Sequence, residues 1–262
     1  MLEINYNTKL LGVVGENIPY TLSPAIHNFS FQRLGINAVY LAFDIKRGNF
    51  CQTFPGLLNI AYGLNITIPY KEESMKYVEV TEEAKEIKAI NTIYNGKGYN
   101  TDYLAVLNLI REKVDRIDSC TVFGAGGAAK AAVFAVLKLG CRVDIINRSR
   151  ERAERLVKEF SNLGSISITS SCKEADVLIN TTPDPNFIPD ECVNKTKKLV
   201  VEFVYKPVKT SLISRAEMNG LKIINGLEIL VRQAMEAEKI WFGKSLDDIE
   251  VVNYLYARKL VW

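Results

Sequence analysis

The chain has 262 residues, 48% hydrophobic and 24% charged, with 33 Lys+Arg against 30 Asp+Glu, a formal charge of +3, five Cys and one His. These fractions are globular averages, so disordered, collagenous and disulfide-scaffold chains are excluded, and the small, evenly spread charge gives no basis for binding nucleic acid or a membrane surface. One His rules out His-based zinc centres and two-imidazole mechanisms, and a Ser-His-Asp triad would have to use His27, so proton chemistry is expected on Lys, Asp, Glu or Tyr.

The thiols are Cys51, Cys120, Cys141, Cys172 and Cys192. With an odd number and no C-x-x-C spacing, they are expected to be reduced and mostly buried, with no metal centre. The start, Met1-Leu-Glu-Ile-Asn-Tyr6, is acidic where a signal peptide would be basic, and no apolar run approaches the ~20 residues of a membrane span. A cytoplasmic protein acting on small molecules is expected. At roughly 150 residues per domain, the length suggests two domains.

In chain order, Leu10–Val14 is an apolar run stopped by Gly15 and predicts a strand. Ser23-Pro24 opens a helix, with Ser as cap and Pro at the first helical position, running to Gly35. Val39–Ile45 reads as a buried parallel strand, Asn49–Leu58 as a helix despite Pro55, and Gly63–Ile68 as a strand stopped by Pro69. Lys71 leads into a charged, helical stretch to about Ala89. Thr92–Tyr99 is a hairpin around Asn95-Gly96.

Tyr103–Lys113 has helical spacing and could connect to a second unit. There Cys120–Phe123 is a strand, Ala128–Leu139 a helix closed by Gly140, Arg142–Asn147 a strand and Glu151–Phe160 a helix. Ser165–Thr169, Asp176–Asn180, Leu199–Val204 and Leu221–Ile224 are further strands, with a helix at Ser211–Asn219. Leu227–Phe242 is an amphipathic helix free to pack back on the first domain. The expected fold class is α/β. Residues 1–102 form a substrate domain, 103–225 a doubly wound dinucleotide-binding domain, and 226–262 a helical segment returning to the first.

Gly124-Ala125-Gly126-Gly127-Ala128-Ala129 has the spacing G-x-G-x-x-A between a strand and a helix. Gly124 permits the tight turn, Gly126 lets the backbone approach a pyrophosphate, and a small third residue lets helix and strand pack. The helix N-terminus offers N–H groups to the phosphates. A bare packing turn would share the glycines; the βαβ context favours a dinucleotide. At the tip of the next strand an NAD site wants a carboxylate. Here stand Asn147-Arg148-Ser149, with Arg150 and Arg152 behind. A guanidinium suits a 2′-phosphate, so NADP is expected, although Arg on an exposed helix start is the plainer alternative.

Polar residues end the apolar strands of the first domain: Thr21 and Ser23, Asn65 and Thr67, Lys71, Asn91 and Thr92, then Asn100, Thr101 and Asp102. Such hydroxyls and amides suit a small, hydroxyl-rich ligand. Capping and turn chemistry would account for Ser23 and Asn95, but not for Asn65 and Thr67 on one strand face.

The segments Thr21-Leu-Ser-Pro-Ala-Ile-His-Asn28, Asn65-Ile-Thr-Ile-Pro-Tyr-Lys71, Ala89-Ile-Asn-Thr92 and Gly98-Tyr-Asn-Thr-Asp102 carry a resemblance. They are joined by the glycine turn, Asn147-Arg-Ser149, Asn180-Thr-Thr182, Tyr205-Lys-Pro207 and the helix with Gln233. Over essentially the whole chain the sequence resembles the shikimate dehydrogenase family. The resemblance implies NADPH-dependent, reversible reduction of 3-dehydroshikimate to shikimate in aromatic amino-acid synthesis, by a monomer or homodimer of two α/β domains with the site between them. It implies Lys71 and Asp102 as the catalytic pair and Thr21 and Ser23 as carboxylate-binding hydroxyls. Asn65, Thr67, Asn91 and Gln233 become substrate hydroxyl ligands, with Tyr205 near the carboxylate. Cofactor contacts fall on Gly124, Ala125, Gly126, Gly127, Ala128, Asn147, Arg148, Ser149, Arg152, Thr181 and Gly226. No metal is implied. His27 lies in a motif but inside a helix, where packing or capping is expected.

Departures from the family pattern are Thr21 for Ser, Ala105 for Gly, Glu202 for Asp, and Asn225 with Glu228 around Gly226. None removes a catalytic group; they bear on the strictness of shikimate selectivity. Rival readings are a quinate/shikimate dehydrogenase using NAD, glutamyl-tRNA reductase, and a non-catalytic cofactor sensor. The carboxylate-free strand tip argues against the first. The plain helix around Cys51 argues against the second, and retention of Lys71 and Asp102 against the third.

Overall fold

A computed structural model describes residues 4–262 and divides them into two compact units. One comprises the chain to Thr101 with Val231–Leu260; the other comprises Asp102–Leu230 with Val261–Trp262. The acidic start at Met1–Glu3 lies outside the described residues.

The first unit runs β1 (Lys9–Gly15), α1 (Ser23–Leu34), β2 (Ala38–Asp44), α2 (Phe50–Ile60), β3 (Gly63–Ile66), β4 (Glu79–Val80), α3 (Glu82–Ile87), β5 (Thr92–Tyr94) and β6 (Lys97–Tyr99). Its sheet has the order β2-β1-β3-β5-β6-β4. β1 is parallel to β2 and β3, whereas β5 is antiparallel to β3 and β6. Strand alternation separates two cores. Val14, Leu64 and Ile66 face Phe50, Phe54 and Tyr70, while Leu11, Val13 and Tyr40 face Phe31 and Trp241. Asn65 therefore points to the second face, in register with Val13.

Local chemistry sets the turns. Gly35 closes α1 at φ +64°, and Asn95 and Gly96 at φ 50° and 70° make the expected two-residue hairpin turn.

Ser23 is not a helix cap: α1 begins at Ser23, and the cap position, Leu22, makes no side-chain bond. β2 is an edge strand with exposed Leu41, not an enclosed one. The stretch from Lys71 to Ala89 is not one helix. A 3-10 turn at Glu73–Tyr77 leads to β4, whose Glu79 and Val80 pair with Lys97 and Gly98 of β6, and Thr81 caps α3. Thr67 lies just beyond β3, its N–H still bonded to the Val14 carbonyl at 2.9 Å.

The second unit contains α4 (Thr101–Lys113), β7 (Ser119–Phe123), α5 (Gly127–Lys138), β8 (Arg142–Ile146), α6 (Arg150–Phe160), β9 (Ile166–Ile168), β10 (Ala175–Asn180), α7 (Asp190–Asn194), β11 (Thr196–Glu202), α8 (Ser211–Met218) and β12 (Lys222–Ile224). Its sheet, β12-β11-β10-β7-β8-β9, is parallel throughout. Strand order reverses between β7 and β10, where open α/β sheets bind ligands. Cys120 and Cys141 are free and buried and Cys51 is free and exposed, but Cys172 and Cys192 form a disulfide, Cα atoms 5.1 Å apart. The expectation of five reduced thiols thus fails for that pair, which a 20-residue separation hides from spacing rules.

α9 (Gly226–Phe242) starts in the second unit and joins the first from Val231; α10 (Asp248–Ala257) follows. α10 was not legible in sequence because its buried stripe is only Val251 and Leu255. Asp247 caps it, and Tyr254 stacks on Phe29 at 3.9 Å. No helix of the described residues is long and apolar enough to cross a membrane.

Candidate active site

In the first unit, residues far apart in sequence form one hydrogen-bonded cluster. The Tyr40 hydroxyl donates to Asn65 Oδ1 at 2.6 Å, and Asn65 Nδ2 donates to the Asn91 carbonyl at 3.1 Å and Thr92 Oγ1 at 3.0 Å. Thr92 donates to Asn91 Oδ1 at 3.0 Å. Asn91 Oδ1 accepts the Thr101 N–H at 2.7 Å, and its Nδ2 reaches Thr101 Oγ1 at 2.9 Å and Gln233 Oε1 at 3.4 Å. Thr21 Oγ1 lies 3.2 Å from Ser23 Oγ, and Ser23 hydrogen-bonds the Tyr40 phenol. Thr21, Ser23, Asn65, Asn91 and Gln233 are thus linked.

Tyr40 is the link sequence reading missed: in an apolar strand, a Tyr reads only as core. Burial pushes its phenol well above the usual range, the Ser23 bond partly offsets this, and the charge of Glu238 adds to it. The phenol therefore stays a donor and fixes which way the Asn65 amide points.

Thr67 and Lys71 flank the cis Ile68–Pro69 bond. Thr67 packs where Gly15 has no Cβ, and the Lys71 carbonyl accepts the Ile90 N–H at 2.9 Å, tying this turn to the Asn91 segment. Lys71 is half-buried rather than fully solvated. Asp102 follows directly on Thr101, in the first turn of α4, where the helix dipole favours a carboxylate. His27 is buried inside the unit, as expected.

The second unit places the glycine turn at the strand-order reversal. Gly124 has φ +112°, and a Cβ there would collide with Thr181 Oγ1, which itself donates to the Phe123 carbonyl at 2.7 Å. Gly126 and Gly127 instead open α5 with open space, among the described residues, where a Cβ would stand. Ala125 and Ala128 complete the turn, leaving a backbone cradle that a pyrophosphate fits.

At the β8 tip, Asn147 Nδ2 donates to the Ser149 carbonyl at 2.7 Å, and Ser149 caps α6 by accepting from the Arg152 N–H. Arg150 is held by Glu154 at 2.8 Å. Arg148 and Arg152 are exposed and make no ion pair among the described residues.

Gly226 approaches the Val204 carbonyl so closely that a Cβ would lie 2.5 Å from it, a packing demand that already explains the glycine. Asn225 and Glu228 cap α9 reciprocally, each backbone N–H donating to the other's side chain at 2.8 and 2.9 Å. Tyr205 lies in the loop after β11, half-buried. That loop is knotted by Glu202, fully buried, which accepts from Asn180 Nδ2 and the Val204 N–H at 2.9 Å each and from Thr210 at 3.2 Å.

Burial raises the Glu202 carboxyl above its ordinary value against the pull of these bonds. Because the folded value is the higher, its contribution to stability is full below the ordinary carboxylate range and is lost as pH rises through the folded value. Glu202→Gln is expected to remove that fall. Unfolding followed across pH 3–8 (roughly the window of carboxylate titration) checks this, and an unchanged slope contradicts it.

The parallel sheet, its reversal and the glycine turn define a doubly wound dinucleotide-binding protein with a second α/β unit. Residues 13–93 match the family model described as shikimate dehydrogenase substrate binding domain, and residues 108–203 match shikimate / quinate 5-dehydrogenase. A protein named shikimate dehydrogenase from Sulfurisphaera tokodaii is 68% identical over 263 residues, covering 100% of both chains. Shikimate dehydrogenase (NADP(+)) of Sulfolobus acidocaldarius is 64% identical, also over 100% of both. Shikimate 5-dehydrogenase from Thermus thermophilus, solved with NADP(H) and shikimate, superposes with a TM-score of 0.86 at 29% identity, covering 97% of this chain and 100% of that one. The chain belongs to the shikimate dehydrogenase family.

Proposed function

We propose that the protein is an NADP-dependent oxidoreductase that reversibly reduces 3-dehydroshikimate to shikimate in the cytoplasm, as a monomer or homodimer with small-molecule partners only. The observation that carries this reading is the first unit's cluster, in which Tyr40 and Thr92 bind Asn65, Asn91 and Gln233 into one donor–acceptor array. An array of fixed amides and hydroxyls suits a ligand bearing several ring hydroxyls. Family membership and the NADP(H)- and shikimate-bound relative support the same reading.

Thr21 and Ser23 turn their hydroxyl protons toward the substrate carboxylate, with Tyr205 assisting. Asn65, Thr67, Asn91 and Gln233 bind ring hydroxyls; the long Asn91–Gln233 contact is the one a hydroxyl replaces most cheaply. Lys71 donates a hydrogen bond to the carbonyl oxygen, stabilises its developing negative charge and protonates it. Asp102 accepts from a substrate hydroxyl and orients the ammonium. Gly124, Ala125, Gly126, Gly127, Ala128 and Thr181 cradle the pyrophosphate, with Gly226 at the cofactor's other end. Asn147, Arg148, Ser149 and Arg152 hold the adenosine 2′-phosphate. The nicotinamide, when bound, supplies or accepts the hydride.

The test is shikimate oxidation followed as growth of the NADPH absorbance band. Activity is expected with shikimate and NADP⁺, and replacing Arg148 and Arg152 by Ala should raise KM for NADP⁺ by about tenfold or more while leaving KM for NAD⁺ nearly unchanged. Equal or faster rates with quinate or NAD⁺ in the unaltered protein would refute the specificity.

A further inference from the structure

α9 carries Gln233, yet the cores it joins are apolar: Ala237 and Trp241 pack with Leu11, Val13, Phe31 and Tyr40. Apolar contact is non-directional and leaves a helix free to rotate or slide by small amounts. A directional joint stands five residues beyond Gln233. Glu238 is fully buried; its Oε1 accepts from His27 Nδ1 at 2.8 Å and its Oε2 from the Ser30 hydroxyl at 2.5 Å. His27 is equally buried, and its Nε2 finds no hydrogen-bond partner among the described residues, so the ring is hydrogen-bonded through Nδ1 alone.

We propose that Glu238, through His27 and Ser30 of α1, is a positioning residue that sets the rotation of α9 and so places Gln233 for substrate. Five residues of helix amount to about 140° of turn and about 7.5 Å of rise, so a joint on the α1 side fixes what the Gln233 side presents. Its far end reaches the same cluster. The His27 ring stacks on Tyr40 with centroids 4.3 Å apart, and Tyr40 in turn orients Asn65. A buried carboxylate costs desolvation that an apolar pair of equal volume would avoid, so stability alone gives little reason for it. The gain is register: two bonds from one helix to two side chains one turn apart on another.

The inference rests on the substrate reading above, and the experiment separates the two. Glu238→Leu removes both bonds and is expected to raise KM for shikimate by about tenfold, leaving kcat and KM for NADP⁺ within about twofold. Glu238→Gln should stay near the unaltered protein, because its amide oxygen can accept from His27 while its NH₂ donates to Ser30. In a Gln233→Ala background, Glu238→Leu should add no further rise, the signature of action through Gln233. An unchanged KM, or a rise of equal size in that background, overturns the proposal. If Glu238→Leu fails to fold, Ser30→Ala is read in its place: about a threefold rise in KM for shikimate supports the joint, and no rise overturns it. Hydrogen exchange without any ligand tests the joint independently. Faster exchange of the amides around Gln233 in Glu238→Leu or Ser30→Ala upholds it, and unchanged protection defeats it. Failure of the unaltered protein to oxidise shikimate would sink the functional reading alone.

Discussion

Replacing Lys71 by Ala is expected to lower kcat for shikimate oxidation by roughly 10²–10⁴-fold, with KM for shikimate changed only a few-fold. The size follows from the role. Reduction of the ketone leaves an alkoxide that needs a proton as it forms, and under the proposed role the Lys71 nitrogen would supply it and take it back in the reverse direction. On the proposed assignment, the hydroxyls and amides of the first unit would hold the substrate in either variant, so the loss should fall on the chemical step rather than on binding. Steady-state rates in both directions measure it. A kcat retained in Lys71→Ala would remove the lysine from the mechanism, and a change confined to KM would make it a binding group.

The second large effect contrasts two glycines of one turn. Gly124→Ala places a side chain at φ +112° and against Thr181 Oγ1. Backbone strain of about 1–2 kcal/mol and overpacking of about 1–3 kcal/mol should lower the melting temperature of the cofactor-free protein by several degrees. Gly126→Ala places its methyl in open space. Its cofactor-free stability should hold or rise by about 0.4–1 kcal/mol, while on the proposed assignment the methyl would fill the space meant for the pyrophosphate and should raise Kd for NADP⁺ by roughly tenfold or more. Calorimetry without cofactor and NADP⁺ titration separate the two. Equal melting temperatures for both variants would show that Gly124 is not structurally required, and unchanged NADP⁺ affinity in Gly126→Ala would place the pyrophosphate elsewhere.

Part of this architecture is legible in the residues alone. The hairpin at Asn95-Gly96, the end of α1 at Gly35 and the strand–turn–helix around Gly124 depend on the conformational range of a residue and its immediate neighbours, which sequence displays directly. So does the alternation of strands and helices that makes the second sheet parallel. Local propensity gives way where a neighbour distant in sequence offers a better partner. The charged stretch after Lys71 had helical composition, but β6 offered an edge for Glu79–Val80 to pair with, and the chain became a strand. Ser23-Pro24 had the form of a cap, yet the Ser23 hydroxyl turned to Thr21 and Tyr40 instead. α10 carried too narrow an apolar stripe to stand out until α1 supplied the surface for Tyr254 and Glu250.

The residues alone reveal the kinds of group available: one imidazole, a lysine after a strand, a glycine turn, and a strand tip with arginines and no carboxylate. Those are properties of single residues and short spacings. Which of these groups meet is a matter of packing. Tyr40 reaches Asn65 across 25 residues, Asn91 reaches Gln233 across 142, and His27 reaches Glu238 across 211. Such pairs leave no periodic trace, because the bond depends on how sheet and helix pack and on which polar atoms that packing leaves without water. The single His shows the difference. In the sequence it served to exclude imidazole chemistry; in the fold it is a buried strut between two helices.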